Sequence, residues 1–104
     1  ESLLLDQAMA WLRERLDRPV DVAAAARACG VSREHLSRLF ARRLGVAPAT
    51  WLRRQRLAQA ERLLAAGAVP VAEVARRCGF TSASHFAALF RRLSGVSPGN
   101  FRRG

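Results

Sequence analysis

The chain has no lysine and no tyrosine, a single methionine and only two cysteines. It has no apolar run long enough to cross a bilayer as a helix. Its opening residues, ESLLLDQAMA, carry neither a basic stretch nor a small-residue cleavage site, so they do not read as a secretory leader. Cys29 and Cys78 stand alone, without CxxC or HxxxH spacing. That argues against a zinc site, and no metal or cofactor is expected. Each cysteine precedes a glycine at what reads as a helix end, so buried free thiols in a reducing cytoplasm are the expectation. No carboxylate pair, nucleophile with an adjacent base, or Gly-rich phosphate loop is visible, which leaves no basis for catalysis. No alternating pattern reads as a strand.

What is present is arginine. All 18 basic side chains are Arg, and the net charge is +10 with a pI of about 11.8. Half of the 104 residues are apolar, enough to build one domain or two very small ones. So basic a chain fits a polyanionic partner better than a merely solubilised surface. The chain opens on Glu1 rather than Met, which reads as a piece of a longer protein.

A repeat organises the chain. CGVSREHLSRLF, from Cys29, returns as CGFTSASHFAALF, from Cys78. The spacing is 49 residues at the Cys-Gly pairs and 50 from His35 and His85 onward, so one residue is inserted in the second copy between Gly79 and His85. Phe40 then pairs with Phe90, Gly45 with Gly95, Pro48 with Pro98 and Trp51 with Phe101.

Each copy reads as helix, tight turn, helix. In the first, Asp21 caps a helix that stops at Gly30, and Ser32 caps a second over Arg33–Leu44, ended by Gly45. In the second, the helices span Val71–Cys78 and Ala83–Leu93, with Ser82 as cap and Gly95 as terminator. Between the copies Pro48 opens a long helix to Ala66, stopped by Gly67 and Pro70, with Leu57, Ala60 and Leu64 on its apolar stripe. An amphipathic helix over Leu3–Leu16 opens the chain, and a short one capped by Ser97 and Pro98 closes it. The expected fold is all-α, with about seven helices. Two helix-turn-helix subdomains, residues 1–47 and 67–104, are joined by a linker helix over residues 48–66.

On a wheel of 100° per residue, Leu36, Leu39 and Phe40 form the core face of the first unit's second helix. Opposite lie Glu34, Ser37, Arg38 and Ala41, a polar face that ends in a small residue and suits a major groove. Arg38 can fork onto guanine O6 and N7, Glu34 can accept from cytosine N4, and Ser37 can do either. The plainer alternative is a solvated face. In the second unit Phe86, Leu89 and Phe90 face the core, while Ser84, Ala87, Ala88 and Arg91 face out. This face is poorer in hydrogen-bonding groups, so the first unit is expected to carry most base recognition and the second mostly affinity. The candidate phosphate contacts are Ser32, Arg33, His35, Arg42, Ser82, His85, Arg91 and Arg92. The pairs Arg53/Arg54, Arg76/Arg77 and Arg102/Arg103 are weaker candidates for the same role.

Arg56-Leu57, Ala60, Leu63-Leu64, Val74-Ala75, Gly79-Phe80, Ser84-His85-Phe86, Phe90, Gly95, Ser97-Pro98 and Phe101-Arg102 together closely resemble the DNA-binding domain of the AraC/XylS family. The resemblance extends over nearly the whole chain. It implies a cytoplasmic bacterial transcription regulator, commonly an activator that recruits RNA polymerase, with any effector or dimerisation domain outside this stretch. It implies recognition helices in adjacent major grooves of double-stranded DNA. The base-contacting slots then fall on Glu34, Ser37 and Arg38, and on Ala83, Ser84, Ala87 and Ala88. Many members carry Arg or Lys where this chain has Ala88, and Tyr where it has His85.

A linker helix of roughly 28 Å set against grooves about 34 Å apart implies bent DNA or imperfect engagement by one module. Two modules in tandem let one chain read a non-palindromic site. The competing reading is a non-specific architectural DNA binder. The alanine-rich second helix favours it, and an acid facing the groove, Glu34, opposes it.

Overall fold

The computed structural model describes residues 1–103. It contains seven α-helices and no strand among them: α1 Ser2–Arg13, α2 Val22–Ala28, α3 Arg33–Leu44, α4 Pro48–Ala66, α5 Val71–Arg77, α6 Ala83–Ser94 and α7 Pro98–Arg103. Contacts divide the chain into two compact units, Glu1–Gln55 and Arg56–Gly104, so the division falls inside α4. Residue 104, the end of the expected second subdomain, lies outside the described residues.

Helix ends follow local chemistry. The Ala24 N–H donates to Asp21 Oδ1 at 2.8 Å. The hydroxyls of Ser32 and Ser82 accept from the His35 and His85 N–H groups at 3.0 and 3.1 Å. Ser97 Oγ accepts from Asn100 N–H at 3.1 Å and opens α7. These bonds satisfy N–H groups that a helix leaves without a partner. The opening helix is shorter than its pattern, ending at Arg13 instead of Leu16. Arg15 N–H turns to the nearer carbonyl of Leu12, and its side chain folds back to the Trp11 carbonyl at 3.0 Å. Pro19, two residues beyond the Asp17 that follows, disfavours helical backbone at Arg18.

The two turns are built alike. Gly30 and Gly79 have φ of 72° and 83°, a backbone that favours glycine. Val31 N–H reaches the Ala26 carbonyl and Phe80 N–H that of Ala75, both at 3.0 Å. These are the long closing bonds of a Schellman motif. Phe80 is therefore the counterpart of Val31, and Thr81 is the inserted residue.

Each unit has its own core. In the first, Leu5, Ala8 and Leu12 of α1 and Ala25 and Ala26 of α2 enclose Leu36, Leu39 and Phe40 of α3, with Trp51 and Leu52 of α4. Phe40 meets Trp51 edge-on at 5.8 Å. In the second, Ala60 and Leu64 of α4 pack with Val74, Ala75 and Cys78 around Phe86 and Phe90, and Leu57 packs alongside. Phe90 meets Phe101 edge-on at 5.4 Å, the counterpart of the Phe40–Trp51 contact.

The thiols differ from expectation in one respect. Cys78 is buried but Cys29 only half-buried, at the edge of the first core. Both are unpaired in disulfide terms, and burial pushes both pKa values up, that of Cys78 to about 11. Both thiols are therefore protonated at neutral pH.

Phe90 is fully buried, so Phe90→Ala is expected to destabilise its unit by about 3–5 kcal/mol. Urea unfolding followed by helical circular dichroism measures this. A loss below about 1 kcal/mol would mean that the second core closes without it.

Candidate nucleic-acid interface

The outward face of α3 starts from its buried stripe. Leu36, Leu39 and Phe40 are each fully buried. Burying that stripe turns Glu34, Arg38 and Ala41 to solvent, with Ser37 half-buried at the margin. Glu34 and Arg38 are four residues apart in the orientation that favours a helical ion pair, yet no ion pair joins them among the described residues. Both heads remain available. Ser32, Arg33 and His35 are exposed at the N-terminal end of the same helix.

In α6, Phe86 and Phe90 are buried to 1% or less and Leu89 to 9%. Ala83, Ser84, Ala88 and Arg91 are exposed and Ala87 half-buried, reproducing the α3 pattern position by position. Ser82, His85 and Arg92 are exposed as well. The His85 ring stands edge-on to Phe80 at 6.1 Å, and Phe80 in turn packs on Phe86 at 5.1 Å. His35 has no such neighbour, because Val31 stands where Phe80 does.

The arginines divide by commitment. Arg13 and Arg15 lie over the rings of Trp51 and Trp11 at 5.2 and 4.2 Å. Arg76 and Arg77 both hold Glu73, with Nε–O distances of 2.9 Å. Hydrogen bonds from these two guanidinium groups draw the Glu73 pKa down to about 2. Arg102 donates to the main-chain carbonyls of Leu64 and Val69, tying α7 to the end of α4. Arg103 is exposed and donates to Asn100 Oδ1. Arg56 is half-buried, and that burial lowers its pKa.

Among the described residues, no acid, hydrogen bond or ring engages Arg27, Arg33, Arg38, Arg53, Arg54, Arg91 or Arg92, and all seven are exposed.

Arg42 is the exception among the arginines of the candidate phosphate set. Its guanidinium meets Glu1 Oε2 at 2.6 Å, and Arg43 approaches the other oxygen at 3.8 Å. Sequence reasoning did not anticipate this pairing, because residues 41 positions apart carry no local signal. No group of three or more His, Cys, Asp and Glu among the described residues could hold a metal ion. No helix among them is long and apolar enough to cross a membrane.

Two exposed copies of one helix face, each behind a Schellman turn and a serine cap, define a tandem helix-turn-helix domain. A family model described as a helix-turn-helix domain matches residues 25–104. The HTH-type transcriptional activator RhaS of Salmonella schwarzengrund is 39% identical over 100 residues, which are 96% of this chain and 36% of that protein. A crystallised transcriptional regulator from Chromobacterium violaceum with an AraC-type DNA-binding domain superposes with a TM-score of 0.91 at 28% identity, over 98% of this chain and 91% of that one. The DNA-binding domain of AdpA, solved with a target DNA, superposes with a TM-score of 0.88 at 40% identity, over 95% of this chain and 89% of that one. The chain belongs to the AraC/XylS family of helix-turn-helix DNA-binding transcription regulators. It spans about a third of the length of the curated relatives it matches.

The Glu1–Arg42 pair is exposed, with side chains 45% and 55% accessible. Such a pair is worth at most about 1 kcal/mol, so a DNA phosphate can displace the carboxylate. Arg42→Ala is then expected to weaken binding equally on all sequences and to reduce the slope of log K against log salt by about one. Titrations at several salt concentrations measure this, and an unchanged slope would remove Arg42 from the interface.

Proposed function

We propose that this chain is the sequence-reading domain of a cytoplasmic bacterial transcription activator, with α3 and α6 each entering a major groove of double-stranded DNA. The observation that carries the reading is the exposed, uncommitted Glu34/Arg38 pair on a helix whose opposite face is fully buried. An arginine and a carboxylate so placed match guanine O6/N7 and cytosine N4. Ser37 lies beside them, and Ala83, Ser84, Ala87 and Ala88 form the corresponding surface on α6.

Ser32, Arg33, His35, Arg42, Ser82, His85 and Arg92 flank these faces and contact phosphates. The two subdomains and their linker helix act as tandem modules on one site, which need not be palindromic. RNA polymerase is the proposed protein partner, and an effector or dimerisation domain of the longer regulator supplies control.

A non-specific architectural role is the second reading, favoured by the alanine surface of α6. Glu34 weighs against it. A carboxylate in the groove costs affinity on every sequence and is repaid only where a cytosine amino group faces it.

Selection of bound DNA from a random pool at about 150 mM salt separates the two. The expected result is an asymmetric motif of two blocks. Arg38→Ala should cost about 1–3 kcal/mol on the selected site and flatten one column of the stronger block. Tight, salt-sensitive binding with no enriched motif would leave the architectural reading standing.

A further inference from the structure

The two recognition helices differ in where their arginine sits. The first carries Arg38 and, one turn later, Ala41; the second carries Ala88 and, one turn later, Arg91. The guanidinium has moved three residues, or about 4.5 Å, along the same face. With 100° per residue and the core direction set by Phe86, Leu89 and Phe90, Arg91 lies about 30° from the outward pole. Ala88 lies equally close, while Arg92 lies about 65° away, on the flank. By azimuth Arg91 is a groove residue, and Arg92 is the phosphate residue.

Helical side chains lean toward the N-terminus and cover the turn before their own Cα. Arginines of this structure do so repeatedly. Arg76 and Arg77 reach Glu73, Arg62 reaches Gln59 and Arg103 reaches Asn100, each three or four residues back. Three and four residues before Arg91 stand Ala88 and Ala87. Neither offers an acceptor to hold the guanidinium, and neither has an atom beyond Cβ to block it. Arg91 is exposed and has no ion-pair or hydrogen-bond partner among the described residues.

We propose that Arg91 is the base-reading residue of the second unit. It reaches back across Ala87 and Ala88 to fork onto O6 and N7 of a guanine. The inference rests on the proposed sequence-reading function. It replaces the expectation that Arg91 is a phosphate contact, in a unit that mostly adds affinity, with a unit that reads from a shifted register.

The test is selection from a random pool with the unmodified chain and with Arg91→Ala, Arg91→Gln and Arg92→Ala, followed by salt titrations on the selected site. The expected result is a guanine column in the second block. Arg91→Ala flattens that column and weakens binding about 10–100-fold with the salt slope unchanged. Arg91→Gln moves the column toward adenine, which a Gln amide matches. Arg92→Ala keeps every column and lowers the slope by about one. If Arg91→Ala instead keeps every column and lowers the slope, Arg91 is a phosphate contact and the proposal falls. If the unmodified chain enriches a first block but no second, the proposal falls while sequence reading by the first unit stands. If it enriches neither, both fall.

Discussion

A twelve-residue helix in so small a unit can bury only one stripe, and that constraint governs both halves of this chain. Leu36, Leu39 and Phe40 fill the first core, and Phe86 and Phe90 the second, with Leu89 buried on the same face. The spacing i, i+3, i+4 fixes the azimuth of each helix, so the chemistry of the opposite face is decided when the stripe is buried. The caps at Ser32 and Ser82 fix the axial start. The Schellman turns at Gly30 and Gly79 fix the entry, with Val31 and Phe80 pinned against their cores. The outward face can vary in sequence because the fold is held by the buried one.

Net charge overstates what the protein can offer a polyanion. Part of the +10 is spent internally. Glu73, with a pKa near 2, stays ionised at any ordinary pH and keeps Arg76 and Arg77 partly neutralised. Its depressed pKa contributes stability above the usual carboxylate range and loses it as pH falls toward 2. Arg13 and Arg15 cover tryptophan rings, and Arg102 closes α7 onto the end of α4. The uncommitted arginines stand on α2, α3, α4 and α6.

Much of this was legible because it is local. The limits of α3 and α4 follow from Ser32, Gly45, Pro48 and Gly67, and the buried stripes from periodicity alone. What escaped depends on contacts distant in sequence or on competition among near neighbours. Arg102 reads as one of a pair of surface charges, and only the packing of α7 brings it to the Leu64 carbonyl. The Glu1–Arg42 pair is equally invisible to periodicity. Alignment confined the insertion to the five residues between Gly79 and His85, and the backbone bonds identify it as Thr81. Cys29 and Cys78 look equivalent, but one sits at the rim of its core and the other inside.

Duplication frees one copy to change as long as the shared stripe is kept. The second copy keeps Leu89 and Phe90 in register with Leu39 and Phe40, and it keeps the serine cap and the closing glycine. On the outward face it replaces Glu34 with Ser84, Arg38 with Ala88 and Ala41 with Arg91. Losing the carboxylate leaves no acid on that face, so under the proposed function a mismatched base meets no unpaired acceptor there. Gaining an arginine farther along moves the positive charge without moving the helix. Under the proposed function the first helix discriminates by penalty as well as by contact, and the second by contact alone. Specificity is a difference of affinities, so under the proposed function one face adds a penalty for the wrong base to its contacts while the other relies on its contacts.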